Sequence, residues 1–280
     1  MFKRSLTQKM FSLPYLLWMA IFIVVPLLLV LYYAFTQQVD GTIVFSADNF
    51  LKVLDPIYMR VLLHSLLLAL ITTVICLAFG YPVAYILSRA KKKGQFLIIL
   101  FILPMWMNFL LRTYAWMSLL DNQGIINGIL QALGLGSATL MYTEGAVILG
   151  MVYSFFPFMV LPLYSTLIKI PASVTEAAED LGANSFQVFF RVTLPLSVPG
   201  IITGITMVFM PAVTTFAISR LLGGSQYMLF GDLIENQFLF AQDWSVGSAL
   251  SIFMIVIILI SMAVLSHYDH SEKGGENILW

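Results

Sequence analysis

The chain has 280 residues, of which 60% are hydrophobic and 10% are charged, and its mean hydropathy is +0.93. Because a soluble domain carries roughly 25% charged residues, this composition excludes a protein whose main solvent is water. The zero formal net charge gives no reason to expect nucleic acid as a partner, and one cysteine with three scattered histidines excludes a disulfide framework and argues against a metal site.

Six apolar segments are long enough to cross a bilayer, since a helix of about 20 apolar residues spans its hydrocarbon core. The segments are 14–35, 62–88, 96–118, 145–168, 197–219 and 246–266. The first follows a basic start like that of a signal peptide, but no small-x-small cleavage site comes after it. We therefore interpret it as a retained span, with a cleaved signal as the alternative. The third is the weakest, because Asn108 and Arg112 interrupt its apolar run.

The positions of lysine and arginine predict the orientation of the chain, because cytoplasmic loops carry an excess of both. Lysines and arginines precede the first span, lie between the second and third spans, and flank the segment between the fourth and fifth spans. These residues are Lys3, Arg4, Lys9, Arg89, Lys91, Lys92, Lys93, Lys169 and Arg191. We therefore expect both termini in the cytoplasm. Residues 1–280 show no linker and no second soluble part, which predicts a single transmembrane domain.

The longest predicted cytoplasmic loop, residues 169–196, has helical character of its own. Ser173 and Glu176 have the spacing of a capping box, so they are expected to begin a helix. Gly182 is expected to end it. Asn184 or Ser185 can cap a second short helix. The second helix is unusually apolar for a loop in water, which suits packing on the bundle and docking into a groove of another protein.

This loop resembles the signature of permease subunits of binding-protein-dependent ABC importers: EAA, three residues, Gly, nine residues, then Ile-x-Leu-Pro. Val192 in place of Ile is the one departure. The matching residues are Glu176, Ala177, Ala178, Gly182, Leu194 and Pro195. The resemblance implies that the loop, hereafter the EAA loop (169–196), couples the chain to a cytosolic ATPase. The alternative is an amphipathic helix that lies on the membrane surface.

The resemblance extends over nearly the whole chain and is strongest to the B-type permease of spermidine/putrescine importers. The stretches that carry it are 54–66, 79–89, 103–116, 211–239 and 241–251. It implies an all-α, six-helix type I ABC importer permease (MetI-like) fold in a bacterial plasma membrane, surrounded by lipid. The implied partners are a sister C-type permease in a heterodimer, two ATPase copies and an extracytoplasmic polyamine-binding protein. The chain has no G-x-x-x-x-G-K-[ST] phosphate loop, so we expect no enzyme activity and no cofactor, with ATP bound by the partner.

Candidate pathway residues lie in the third and fifth segments. Trp106 and Arg112 belong to the third, where an ionisable residue is a functional candidate by default, although Arg112 could equally anchor the span at the headgroups. Phe216, in the fifth, could line the path or simply pack. Gly200 and Gly204 form a GxxxG pattern, which permits close helix contact.

Acidic residues between the last two spans are further candidates. Asp232, Glu235 and Asp243 lie near aromatic residues, and carboxylates with aromatic faces suit a polyvalent cation. An ordinary solvated loop explains them equally well. Arg220 would repel a polyamine, so it either pairs with one of these acids or indicates another substrate. The alternative functions are an importer of another small solute and, from a different class, an autonomous secondary transporter or channel.

Overall fold

The structure is a computed structural model that describes residues 14–39, 42–224 and 226–273. These residues are mostly helical, as predicted, with one unforeseen antiparallel hairpin of β1 (Thr36–Val39) and β2 (Thr42–Phe45). The helices are α1 Pro14–Ala34, α2 Asp48–Val53, α3 Pro56–Arg89, α4 Lys91–Trp106, α5 Phe109–Leu120, α6 Ile125–Ala132, α7 Glu144–Leu167, α8 Ala172–Asp180, α9 Ser185–Leu196, α10 Val198–Thr214, α11 Ala217–Gly223, α12 Phe230–Leu239 and α13 Trp244–Lys273. The basic residues Lys3, Arg4 and Lys9 lie outside the described residues.

Four helices of the described chain are long and apolar enough to cross a membrane: α1, α3, α7 and the part of α13 from Trp244 to Leu265. They correspond to four of the predicted spans. Two further candidates are bent helix pairs, which bring the number to six if each pair is one span. Most apolar side chains of α1 are exposed, as a helix surrounded by lipid requires.

The third predicted span is broken rather than continuous. Helices Lys93–Trp106 and Phe109–Ala132 meet at 92°, so the prediction of one helix over 96–118 is wrong. The break lies at Met107 and Asn108. Met107 has an extended backbone, and the Asn108 side-chain oxygen accepts hydrogen bonds from the N–H groups of Leu110 and Leu111. An asparagine side chain that caps a new helix competes with continuation of the previous one.

The fifth predicted span is also shorter than expected. Helix α10 ends at Thr214 and Thr215 is extended, so the prediction of one helix over 197–219 is wrong at its end. The backbone of Gly231 approaches this point: a Cβ atom there would lie 2.6 Å from the carbonyl oxygen of Thr214. Glycine permits this close approach, so the segment that contains Gly231 packs against the carbonyl groups at the end of the helix.

The described chain divides into two compact units. The first holds the residues before Arg60 together with Leu233–Ile257, and the second holds Arg60–Asp232 together with the residues after Ile257. The prediction of a single domain stays a prediction.

In the second unit, α7 packs against α10, α11, α5 and α4. The α7–α10 contact depends on the predicted GxxxG pair. A Cβ atom at Gly200 would lie 2.6 Å from Thr166 Oγ1, and one at Gly204 would lie 2.6 Å from Met159 Sδ. Small residues therefore bring these helices together where dispersion contacts are the main attraction, and this interpretation of the pattern is confirmed.

In the first unit, Asn49 connects three elements. Its side-chain nitrogen donates to the carbonyl oxygens of Ala34 and Thr36, both at 3.0 Å, and its oxygen accepts from Gln37 Nε2 at 2.8 Å. The Asn49 side chain is fully buried. A buried amide with satisfied partners therefore fixes α2 against the end of α1 and strand β1.

Candidate functional site

The first half of the EAA loop is helix α8, and Gly182 ends it as predicted. Gly182 has φ +87°. Its N–H donates to the Glu179 carbonyl at 2.9 Å, and the N–H of Ala183 donates to the Ala178 carbonyl at 3.0 Å. This pair of bonds is the Schellman motif, whose left-handed residue is usually glycine. The EAA residues are thus followed by a turn that only glycine adopts without strain.

The helix caps of the loop differ from the prediction. Helix α8 starts at Ala172 after Pro171 and has no side-chain cap, so the predicted Ser173–Glu176 capping box is wrong. Ser173 already lies inside the helix, one residue beyond the start. The capping box occurs instead at the second helix, where Asn184 and Gln187 each accept the other's backbone N–H, at 2.8 and 3.0 Å. The expectation that Asn184 caps this helix is confirmed.

The tip of the EAA loop exposes apolar side chains. Leu181 is 90% exposed and Phe186 is 71% exposed. Around them, the signature residues Glu176, Ala177 and Gly182 are exposed and Ala178 is half-buried. No atom lies within 4 Å of a Cβ atom placed on Gly182. The tip is therefore an open apolar surface that a protein partner could cover.

The other face of α9 packs on α3. The Phe189 ring lies edge-on to the rings of Tyr81 and Tyr85, with centroids 5.6 and 5.4 Å apart. Val188 is buried beside it. Of the two signature residues at the end of α9, Leu194 is half-buried and Pro195 is exposed. Helix α9 therefore has one face held by the membrane helices and one face open.

The pathway candidates of the second unit have different environments. Trp106 ends α4 with 81% of its surface exposed, and Phe216 is 45% exposed beyond the end of α10. Arg112 is partly buried on α5, with its guanidinium carbon 5.9 Å from the centroid of the Phe109 ring. Each of these three residues has its own environment, so they remain separate candidates.

Asp232 is buried rather than open to solvent, with 4% of its surface exposed in the first turn of α12. One carboxylate oxygen accepts from Ser219 Oγ and from the N–H of Leu229, the latter at 2.9 Å. An acid near a helix N-terminus is favoured by the helix dipole. These contacts give Asp232 a structural role in joining α11 to α12, and its contact with substrate stays a prediction.

Glu235 and Asp243 belong to the first unit and are partly exposed. Asp243 Oδ1 accepts from the N–H of Val246 at 3.0 Å, at the start of α13. Asp243 also lines a cavity of about 650 Å³ in this unit. Other lining residues are Tyr32, Tyr33, Asn49, Lys52 and Trp244. The sequence indicated the Asp243–Trp244 side of this cavity but missed the tyrosines, which lie some two hundred positions earlier and resemble an ordinary aromatic belt.

Comparisons with known proteins agree with this architecture. Residues 1–273 match the family described as binding-protein-dependent transport system inner membrane component. The spermidine/putrescine transport system permease protein PotB of Escherichia coli (strain K12) is 40% identical over 253 residues, which are 88% of this chain and 92% of that protein. The protein of the same description from Haemophilus influenzae is 41% identical over 254 residues, 88% of each chain.

Solved structures confirm the fold. A chain of a bacterial ABC transporter involved in the import of the acidic polysaccharide alginate has TM-score 0.82 and 18% identity, with 96% of each chain covered. A chain of the MetNI methionine ABC transporter has TM-score 0.55 and 17% identity, covering 76% of this chain and 94% of that one. The predicted all-α importer permease fold is therefore confirmed. The chain is a multi-pass membrane protein that belongs to the family of inner membrane components of binding-protein-dependent transport systems.

Proposed function

We propose that the chain is a permease subunit of an ATP-driven importer for polyamines of the spermidine and putrescine class, and that it forms half of the translocation path. The observation that carries the substrate class is the 40% identity to a spermidine/putrescine permease over 88% of this chain. The family membership carries the role of membrane component.

The EAA loop is the surface on which a cytosolic ATPase dimer acts. Leu181 and Phe186 protrude from a loop whose second helix packs on α3 through Phe189. Covering a side chain of this size stabilises a contact by roughly 1.5–3 kcal/mol. ATP is bound and hydrolysed in the ATPase, so this chain carries no cofactor. Closure of the ATPase dimer moves the loop and opens the path toward the other side, which is alternating access driven by a partner.

Two further partners complete the importer. A sister C-type permease supplies the other half of the path as a heterodimer, and an extracytoplasmic polyamine-binding protein delivers the substrate. Both termini face the cytoplasm, in line with the lysine and arginine distribution. The chain is inserted in the plasma membrane of a bacterium.

The acids of the first unit suit a polyamine better than Asp232 does. A flexible polycation is attracted by carboxylates and by aromatic faces. Asp243 is partly exposed and lines the same cavity as Tyr32, Tyr33 and Trp244. Lys52 also lines this cavity, so the cavity carries both a negative and a positive side chain. The positive charge opposes tight binding of a polyamine, which would pass through the cavity instead.

The decisive experiment measures uptake of labelled spermidine in cells with and without the gene, with unlabelled putrescine and an unrelated amino acid as competitors. We expect deletion to abolish uptake, the gene to restore it, and only putrescine to compete. Unchanged uptake in a strain without a second polyamine system would refute the substrate and leave an importer of another small solute.

A pair of variants tests the ATPase surface in the same strain. Leu181→Asp is expected to abolish uptake and the co-purification of the ATPase. Leu135→Asp changes a leucine that is 72% exposed on the predicted opposite side, and it should retain the ATPase. Equal ATPase retention by the two variants would contradict the proposed docking surface.

A further inference from the structure

The EAA loop joins the membrane helices at a sharp bend. Helices Ser185–Leu196 and Val198–Thr214 meet at 62°, and Ser197 is the residue between them. Pro195 and Pro199 flank this residue, and neither has a backbone N–H to donate. Ser197 is fully buried. Regular helical hydrogen bonding is therefore depleted at the point where motion of the loop would enter α10.

The Ser197 side chain compensates for this loss. Its hydroxyl donates to the carbonyl oxygen of Leu194 at 2.8 Å, and its backbone N–H lies 3.0 Å from the Thr193 carbonyl and 3.1 Å from that of Leu194. Leu194 is part of the EAA signature. The bend is thus held by one side chain that reaches back to the end of the loop.

A tyrosine from a distant helix completes the arrangement. The Tyr81 hydroxyl on α3 lies 2.8 Å from Ser197 Oγ in a buried contact between residues 116 positions apart. A serine hydroxyl has one proton, and it is used on the Leu194 carbonyl, so Tyr81 is the donor. The result is a directed chain from the Tyr81 O–H to the Ser197 O–H to the Leu194 carbonyl, in which each bond strengthens the other.

The ring of Tyr81 makes a second contact with the loop. It lies edge-on to Phe189 on α9, with centroids 5.6 Å apart and an interplanar angle of 89°. Tyr81 is only 7% exposed. One side chain of α3 therefore contacts both the body of α9 and the bend that follows it.

We propose that Tyr81 is a positioning residue that makes α9, the bend at Ser197 and α3 move as one body. This inference rests on the proposed coupling function of the EAA loop. With the hydrogen-bonded chain intact, a push on the loop moves α3 and α10 together. Without it, the bend flexes, and the ATPase closes and hydrolyses ATP without moving the permease.

The test uses the whole importer, purified through a tag on this chain and placed in lipid. The variants are Tyr81→Phe, Ser197→Ala and the two combined. Tyr85→Phe is the matched control. Tyr85 lies one helical turn after Tyr81, and its ring also packs edge-on to Phe189. The substitution removes a hydroxyl group as Tyr81→Phe does, but the Tyr85 hydroxyl has no hydrogen bond to the described residues. The two readouts are ATP hydrolysis per complex without binding protein, and ATP hydrolysed per spermidine imported.

We expect Tyr81→Phe to raise both quantities about five-fold, the change expected from loss of one net buried hydrogen bond. Ser197→Ala should raise both at least as much, because it also removes the hydrogen bond to the Leu194 carbonyl. The double variant should equal Ser197→Ala, because that single variant already removes the hydrogen bond between Tyr81 and Ser197. Tyr85→Phe should match the wild type. A residue that only stabilised the fold would lower hydrolysis and import in parallel and leave their ratio unchanged.

Three results would overturn the inference: an unchanged ratio in Tyr81→Phe, additive effects in the double variant, or an equal effect of Tyr85→Phe. Failure of the proposed substrate gives a different result. If the wild-type complex imports no spermidine, the polyamine assignment fails, while hydrolysis without binding protein still decides the role of Tyr81.

Discussion

Substitutions of Gly182 separate the cost of backbone geometry from the cost of crowding a partner. At φ +87°, a side chain costs about 1–2 kcal/mol, which lowers the population of the native turn by a factor of about 5–30. Because no atom lies within 4 Å of a Cβ atom at this position, alanine meets no steric barrier in the described chain, and a tryptophan side chain begins in open space. Asparagine costs less, because it tolerates the left-handed region.

The assay is equilibrium binding of the purified ATPase to the permease complex in lipid. We expect affinity to fall in the order Gly182, Asn, Ala and Trp, with alanine within the 5–30-fold range that the backbone cost sets. If the turn lies in a cleft of the ATPase, the tryptophan variant should bind the ATPase about a further ten-fold or more weakly than the alanine variant, because overpacking costs about 1–3 kcal/mol.

Gly134 provides a matched control. It has φ +74° and no atom within 4 Å of its Cβ position, but it lies after α6, on the predicted opposite side of the membrane. Its alanine and tryptophan variants have the same local strain and should bind the ATPase normally. Equal affinities of the alanine and tryptophan variants of Gly182 would refute the view that this turn faces a partner.

Two stability predictions follow from buried contacts, both measured by thermal unfolding of the purified complex in detergent. Gly200→Ala should destabilise the protein by about 1–3 kcal/mol, because its Cβ would lie 2.6 Å from Thr166 Oγ1. The control Gly128→Ala, in a helix with open space around this residue, should stabilise the protein by about 0.5–1 kcal/mol. Equal effects of the two substitutions would contradict the close α7–α10 packing. Asn49→Ala should destabilise the protein by about 1–3 kcal/mol, because it leaves the buried carbonyls of Ala34 and Thr36 without their donor. The control Asn122→Ala changes an exposed asparagine and should have little effect. An Asn49→Ala variant as stable as the wild type would refute the role of Asn49 in fixing α2 to α1 and β1.

Two of the long apolar segments were predicted to within one residue, while α3 begins at Pro56, six residues before the predicted start at 62. The predicted span 145–168 is helix Glu144–Leu167, and 14–35 is Pro14–Ala34. In lipid, a backbone must satisfy its own hydrogen bonds, so a long apolar run has essentially one solution. Apolar length therefore predicted the membrane-spanning helices, and the resemblance to importer permeases predicted the fold.

The helix breaks were not predictable from apolar length. Asn108 interrupts the third span by capping a new helix, and the polarity of Asn108 and Arg112 was the signal of a weak point. The end of α10 at Thr214 lies against Gly231, a contact that apolar length does not reveal. Hydropathy averages over such positions and so predicts a continuous helix in both places.

The sequence by itself determined that this chain is embedded in a membrane. It also located the EAA loop, whose resemblance to importer permeases predicted the function, and the glycine that ends the first helix of that loop. Local patterns decide these features, because apolar length, the spacing of a short signature and a left-handed glycine act within short stretches of the chain. Only the tertiary structure decided that Asp232 is buried against Ser219 and that Tyr81 bonds to Ser197. Those pairs form where packed helices bring distant residues together, and helix packing depends on the shapes of both surfaces rather than on either segment alone.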